Sequence, residues 1–397
     1  ARSISSRPSS NYYQIIWFFE IHKRTGCRIN FHKFYIVYPI PSTKGDFVPL
    51  GLNFFCWKTS LRNNQTYMID SLATLHDYRE IISENLSNCL ESSNLDGYPK
   101  YQGKVRDRYD LGDRYALITT DRQSAFDRVL AAIPFKGQVL NQTGAWWFEQ
   151  TKDIIQNHVI SIPDPNVTLA QKCQPFPVEF VVRGYMTGSS STSIWTQYHG
   201  GARKYCGVSL PEGMTKNQKF SQPILTPTTK EEAHDRPISP KEIVDEGWMS
   251  KEHWEYASEH ALRLFTRGQE LSRRNGLILV DTKYEMGLSE DGQILLIDEI
   301  HTPDSSRYWL QPSYEKRFDE GREPENVDKE FLRLWFRENC DPYKDEILPK
   351  APDELVIELA SRYIHLYETI TGQTFQFPEP KKDIMERICD SLELPTA

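Results

Sequence analysis

The chain has 397 residues, 39% hydrophobic and 26% charged, with a formal net charge of −8 at pH 7. That length exceeds a single small core and suffices for two lobes, and the composition is that of an ordinary globular chain. The acidic balance lacks the footprint of a nucleic-acid binder, and no window reaches the apolar length of a membrane span.

The seven cysteines (Cys27, Cys56, Cys89, Cys173, Cys206, Cys340, Cys389) are scattered, odd in number and without a CxxC pair. They read as reduced thiols, neither a disulfide frame nor a zinc site. Charge is unevenly spread. Residues 1–66 carry nine Lys/Arg against two acids, Glu20 and Asp46, leaving 38 basic and 53 acidic residues for the rest. A basic, acid-poor opening of ARSISSRPSS is similar to an organelle transit peptide. Residues 11–57 are unusually aromatic for one, and the first residue is not Met, so a fragment or an incorrect gene model stands as the alternative. The segment is set aside as a basic extension. The fold expectation is α+β, with an N-terminal lobe over 67–180 and a C-terminal lobe over 181–397.

In chain order, residues 69–93 show apolar positions at helical spacing and predict an amphipathic helix. Residues 101–122 predict a hairpin turning at Gly112-Asp113. Gly103 allows close backbone approach, and Lys104 and Arg106 place two cations at the strand start, an arrangement able to cover nucleotide phosphates. A turn beside a surface lysine is the plainer reading. Asp127 falls in a loop-like stretch, a helix is expected from about Gln138, and the cluster Trp146, Trp147, Phe148 reads as core.

Residues 178–182 read as a short buried strand ended by Arg183. The polar run 187–193, containing Ser189, precedes a helix from Ile194. Hydroxyls and free N–H groups at a helix start, with an arginine beside them, bind phosphate. A Ser-rich loop with an N-cap serine is the alternative. The proline-bounded stretch 223–239 reads as a long loop holding Lys230, His234 and Asp235, with His-Asp capable of acid–base work or of orienting a ligand, an exposed loop pair being the commoner case. Residues 240–275 read as helical.

Residues 277–309 organise the chain. They read as two apolar strands joined at Asp291-Gly292, the pair a type I′ turn favours. A two-residue loop places Glu285 opposite Asp298, and alternation puts Asp281, Lys283 and Glu285 on one face. Facing carboxylates call for a cation or a proton between them, and Mg²⁺, which takes carboxylate together with phosphate oxygens, suits that place; a solvated hairpin end with incidental acids is the alternative. A bulge near Gly287 would break the register. Ser305, Ser306 and Arg307 follow. Beyond them, two helices are expected within 325–390, with no catalytic motif.

These parts suit phosphoryl transfer between lobes, although G-x-G-x-x-G, H-R-D, D-F-G and Walker A signatures are all missing. A phosphotransferase on another substrate and a non-catalytic nucleotide binder are the competing readings.

Six ordered motifs carry a resemblance: GKVRD (103–107), SAFD (124–127), VVRGYMTGS (181–189), the LTPTTK…HD loop (225–235), LVDTKYEMG (279–287) and IDEIHTPDSSRYW (297–309). Over about residues 95–375 the chain resembles the SAICAR synthetase family. Met286 departs from the family's usual Phe but keeps an adaptable apolar side chain.

The resemblance implies two α+β lobes with ATP in the cleft, similar to kinase and ATP-grasp lobes. It implies an ATP- and Mg²⁺-dependent ligase of purine synthesis that joins L-aspartate to the carboxylate of carboxyaminoimidazole ribonucleotide (CAIR) through an acyl phosphate. Lys104 and Arg106 would face ATP phosphates, and Val178 and Glu179 would form the adenine hinge. Glu285 and Asp298 would hold Mg²⁺. Arg183, Ser189 and Arg307 would grip the 5′-phosphate. Lys283 and Asp235 are the catalytic candidates, with Asp127, Lys230 and His234 assigned to substrate. The implied partners are these small molecules, with no nucleic acid or membrane, and the oligomeric state is not derivable. The implied location is the plastid stroma if residues 1–66 are a transit peptide, and otherwise the cytoplasm.

Overall fold

The computed structural model describes residues 77–126, 128–190, 192–230, 236–326, 330–379 and 383–393, together with the backbone of two strands nearer the N-terminus. Those strands, Tyr13–Phe18 and Phe34–Pro39, pair antiparallel in the unit formed by residues 1–74. Everything below concerns the second unit, residues 75–397.

The axis of this unit is the strand Leu277–Ser289, thirteen residues long. Its positions alternate along 281–286, with Thr282, Tyr284 and Met286 buried and Asp281, Lys283 and Glu285 partly open, as the pleat of a half-covered sheet requires. It pairs antiparallel with Cys173–Pro175, Val178–Tyr185, Ile294–Ile297 and Ser306–Leu310. Lys219–Leu225 and Thr228–Thr229 add to Val178–Tyr185, completing a seven-stranded sheet. Val178–Tyr185 carries the chain through residue 180 without a break.

The helix Lys251–Arg274 covers the closed face of this sheet. Ala257, Ala261, Leu264 and Phe265 join Phe180, Val182, Leu279, Tyr284 and Met286 in the largest apolar core. Burying a Leu or Phe side chain contributes about 1.5–3 kcal/mol, so this face fixes which way the sheet points. Met286 is fully buried here and lies on the helix side, away from the open face.

A second, five-stranded antiparallel sheet runs in the order Lys100–Gln102, Arg106–Asp110, Arg114–Thr119, Val167–Gln171, Val159–Asp164. The expected turn at 112–113 is present, with Gly112 at φ +98°. Helices Lys136–Thr151 and Asp353–Thr371 pack together, and Trp147 and Phe148 are buried as core.

Several expectations are corrected. The helix expected over 69–93 is, among the described residues, only Arg79–Glu84. Beyond it the chain is held by buried carboxylates: Leu90 N donates to Asp121 Oδ2 (2.7 Å), and Ser93 N and Oγ donate to Asp107 Oδ2 (3.1 and 2.7 Å). Tertiary hydrogen bonds there override local periodicity. Arg183 does not end its strand, which continues to Tyr185 past an irregularity in pairing. The stretch 223–239 is partly strand rather than wholly loop. The helical stretch 240–275 is two helices, Pro240–Asp245 and Lys251–Arg274, divided at Gly247 (φ +77°). Helices Gln311–Asp319 and Ile384–Leu392 were not anticipated; both are short, the first buries no residue and the second is held by Ile388 and Leu392.

The hairpin register also differs. Ser289 N donates to Gln293 O (2.9 Å), Gly292 N donates to Ser289 O (3.0 Å), and Gly292 has φ +78°. The loop therefore has three residues, a turn closed by a left-handed glycine. The extra residue moves Glu285 opposite Ile297 instead of Asp298. No bulge forms at Gly287. Pairing continues through it, and its bareness serves close approach, since a Cβ would lie 2.7 Å from Gln174 O.

Candidate active site

Between the two sheets lies a cavity of about 700 Å³. Gly103, Lys104, Arg106 and Arg108 line one side, with Glu179, Lys230, Lys283, Glu285, Asp298 and Glu299 on the other. Gly103 is required as glycine, because an added Cβ would stand 2.8 Å from Arg106 O.

The open face of the central strand supplies the charges. Lys283 Nζ lies 2.8 Å from Glu179 Oε1 and 3.2 Å from Glu285 Oε1. Lys230 Nζ reaches the other oxygen of Glu285 at 2.6 Å. Burial works against the Lys283 charge, but Glu285, Glu179 and Asp298 outweigh it, so its pKa is raised and it stays protonated.

Asp298 does not face Glu285 across the ladder, yet it returns to the site by another route. Its backbone is left-handed (φ +66°), which bends the chain out of the strand Ile294–Ile297. Its Oδ1 then lies 2.5 Å from Arg106 NH1, and Glu299 Oε2 lies 3.9 Å from Arg106 NH2. Burial opposes ionisation of Asp298, but Arg106 and Lys283 hold its carboxyl below the usual range. Burial and the neighbouring Asp298 push Glu299 up. Adjacent carboxyls are thus driven apart by their surroundings.

The same strand face continues into a second group. Register aligns Arg183, Asp281 and Arg307 across three neighbouring strands. Arg307 NH1 lies 3.1 Å from Asp281 Oδ2, Arg183 NH1 lies 3.9 Å from it, and Arg183 Nε donates to Thr226 Oγ1 (2.9 Å). One carboxylate between two guanidiniums leaves a cationic row beside Lys283, suited to a phosphate. Ser189 is exposed in the loop before helix Ile194–His199, which Ser193 caps.

The structure therefore brings Lys104, Arg106, Glu179, Lys230, Lys283, Glu285 and Asp298 to one cavity, and Arg183 and Arg307 to the adjoining row. Val178 is buried beneath, paired with Thr229. Asp127, His234 and Asp235 lie outside the described residues.

Glu299, His158 and Asp304 were not singled out from the sequence; Glu299 and Asp304 lie within the motif 297–309, which could have pointed to them, whereas His158 lies in none of the six motifs. Their places come from long-range packing. His158 lines the cavity, and burial pushes its imidazole down to about 4. Asp304 Oδ2 meets the fully buried Lys136 Nζ at 2.7 Å, and Tyr363 OH donates to its Oδ1 at 2.5 Å. This pins the turn joining Asp298 to Arg307. Asp281 was placed on the right face, but its clasp on two arginines needed the neighbouring strands.

Among the described residues no group of three or more His, Cys, Asp or Glu is disposed to hold a metal ion. Glu285 and Asp298 nevertheless offer the one or two carboxylates with which Mg²⁺ is commonly held when phosphates complete its shell. No helix among the described residues is long and apolar enough to cross a membrane.

Comparison with known proteins identifies the family. The family model for SAICAR synthetase matches residues 99–350. A Legionella pneumophila (strain Lens) phosphoribosylaminoimidazole-succinocarboxamide synthase is 61% identical over 305 residues, covering 77% of this chain and 98% of that protein. An Arabidopsis thaliana protein described as the chloroplastic form of that synthase is 59% identical, covering 81% of this chain and 80% of its own length. A solved SAICAR synthase from Saccharomyces cerevisiae, complexed with SAICAR, superposes with a TM-score of 0.64 at 30% identity, over 72% of this chain and all of that one. This chain is an enzyme of the SAICAR synthetase family.

Proposed function

We propose that this enzyme joins L-aspartate to the carboxylate of CAIR at the expense of ATP, releasing SAICAR, ADP and phosphate. The observation that carries this reading is the continuity of one strand face. Glu285 and Lys283 stand in the nucleotide-sized cavity, and two residues on, Asp281 holds the arginine pair. A triphosphate and a phosphorylated acceptor bound to these two groups would meet near Lys283.

A carboxylate is a poor electrophile because its oxygen leaves badly. Transfer of the γ-phosphoryl group to it forms an acyl phosphate and frees ADP. The aspartate amine then attacks the carbonyl carbon, the C–N bond forms, the C–O bond to phosphate breaks, and the amine loses a proton. Catalysis of such transfer is mainly positioning and charge neutralisation. Lys104 and Arg106 would cover the phosphates, and Val178 and Glu179 would border the adenine. Arg183, Ser189 and Arg307 would hold the 5′-phosphate of CAIR. Lys283, kept protonated, would neutralise charge on the group in transfer. Asp127, Lys230, His234 and Asp235 are assigned to the remaining substrate contacts, with Asp235 retained as a catalytic candidate. Glu285 and Asp298 would hold Mg²⁺, which when bound neutralises phosphate charge and orients the leaving group. In this reading residues 67–180 form the N-terminal lobe and 181–397 the C-terminal lobe, with Glu179 joining the wall of the latter; the enzyme works in the plastid stroma if residues 1–66 act as a transit peptide, as a relative described as chloroplastic suggests, and otherwise in the cytoplasm.

The test is ADP release by the full chain with Mg-ATP, CAIR and L-aspartate, each omitted in turn. Release that collapses without any one of them, with SAICAR detected, supports the ligase. Release without aspartate and without SAICAR when aspartate is present would point to a phosphotransferase and overturn it.

A further inference from the structure

We propose that His158 is a positioning residue that holds the Asp298 carboxylate when nucleotide and cation occupy the cavity. The inference rests on the assignment of Asp298 to the cation. His158 is clamped on both sides by backbone bonds. Its N–H donates to Leu296 O (3.1 Å), and its carbonyl accepts from Gln171 N (2.7 Å). A parallel bridge between Asn157 and Leu296 runs it alongside Ile297 and Asp298. The ring packs near Phe148, with centroids 5.6 Å apart, and lines the cavity although the residue is only 6% exposed. Its Nε2 is buried and has no hydrogen-bond partner among the described residues. Asp298 and Arg106 are the charges the ring senses.

A buried polar nitrogen without a partner is uncommon and calls for a reason. In the free chain Arg106 occupies Asp298, through Oδ1 at 2.5 Å and the backbone carbonyl at 3.3 Å. A phosphate entering beside Arg106 competes for that guanidinium. Asp298 then needs another donor, and the His158 ring, bridged to this strand through Asn157 and Leu296 and sensing the Asp298 charge, can supply one in the tautomer that carries its proton on the unpartnered Nε2. Carboxylates that ligate metals are themselves hydrogen-bonded from behind, and loss of such a partner typically costs 10–100-fold in metal affinity. No chemistry is asked of the imidazole beyond donating this bond.

The experiment measures ADP affinity of the full chain by calorimetry over a MgCl₂ series and in EDTA, for wild type, His158→Phe and His158→Gln. Phe fills the ring space without a donor, and Gln restores an N–H near the Nε2 position. The expected result is a wild type that binds ADP more tightly with Mg²⁺. In H158F the Mg²⁺ midpoint rises about 10-fold or more while affinity in EDTA stays within about 2-fold, and H158Q recovers most of the difference. An H158F protein with an unchanged Mg²⁺ midpoint, or one weakened equally with and without Mg²⁺, would make His158 a packing residue and overturn the proposal. A wild type whose ADP affinity ignores Mg²⁺ would instead overturn the cation assignment, and this proposal with it. Should H158F fail to fold, H158Q decides: a near-wild-type midpoint supports the donor, and a midpoint raised 10-fold or more overturns it.

Discussion

Replacing Glu285 by Gln separates a ligand of the reacting complex from a member of the scaffold. In the free chain Glu285 accepts from Lys283 at 3.2 Å and Lys230 at 2.6 Å, and those lysine side chains are 35% and 37% exposed. Pairs half-open on the lysine side, with Glu285 itself 14% exposed, contribute about 1 kcal/mol each. Lys283 also keeps Glu179 at 2.8 Å. E285Q is isosteric, so its unfolding transition should stay within about 4 °C of wild type. Turnover should behave differently. Removing a preorganised group aimed at transferring charge typically costs about 10²–10³ in kcat, or roughly 2.7–4 kcal/mol. ADP release under saturating Mg-ATP, CAIR and L-aspartate should fall by that factor, with the Mg²⁺ requirement shifted upward. Scanning calorimetry beside coupled-assay kinetics reads both quantities. A variant with more than a tenth of wild-type turnover and unchanged Mg²⁺ dependence would refute the cation assignment. Loss of activity together with a transition lowered by more than about 5 °C would make Glu285 a structural residue.

Three further outcomes are expected. Lys136→Met leaves Asp304 in a buried setting without its ammonium partner at 2.7 Å and should cost about 3–5 kcal/mol in urea unfolding; a cost below about 1 kcal/mol would show that the pair does not anchor the turn. Gly268→Ala places a Cβ 2.4 Å from His301 Cε1 and 2.6 Å from Leu279 Cδ2, and overpacking should destabilise by about 1–3 kcal/mol, so an unshifted urea midpoint would contradict it. For pH, burial pushes His158 down to about 4 and His301 down to about 3, both below the ordinary value of 6.5. The unfolded chain therefore binds more protons, and their stabilisation, complete above pH 6.5, is lost as pH falls toward 4. Asp121, pushed up to about 6 by burial, acts in the opposite sense and offsets about one of them. Glu299, raised by burial and Asp298, adds to that offset, so unfolding free energy should fall by at most about 1.4 kcal/mol per pH unit between pH 6 and 5, and a curve that rises on acidification there would be the refuting result.

The sequence by itself determined which residues could share a face. Alternation along 277–289 placed Asp281, Lys283 and Glu285 together because the pleat has a period of two, and the buried partners Thr282, Tyr284 and Met286 agree with it. The Gly112 turn, the Ser193 cap and the core role of Trp147 were equally local, set by backbone freedom, N-cap chemistry and apolar bulk. Tertiary structure decided what lies opposite what. The hairpin register hinged on one loop residue, and the left-handed Asp298 recovered by a bend what the ladder did not supply. The arginine row, the Lys136–Asp304–Tyr363 clasp and the placing of His158 beside the strand that leads to Asp298 join residues from 26 to 227 positions apart. Nothing in a local window records such contacts. They arise only when the two sheets and the helices behind them close on their cores, and the charges left on the open face are then fixed within hydrogen-bonding reach of one another.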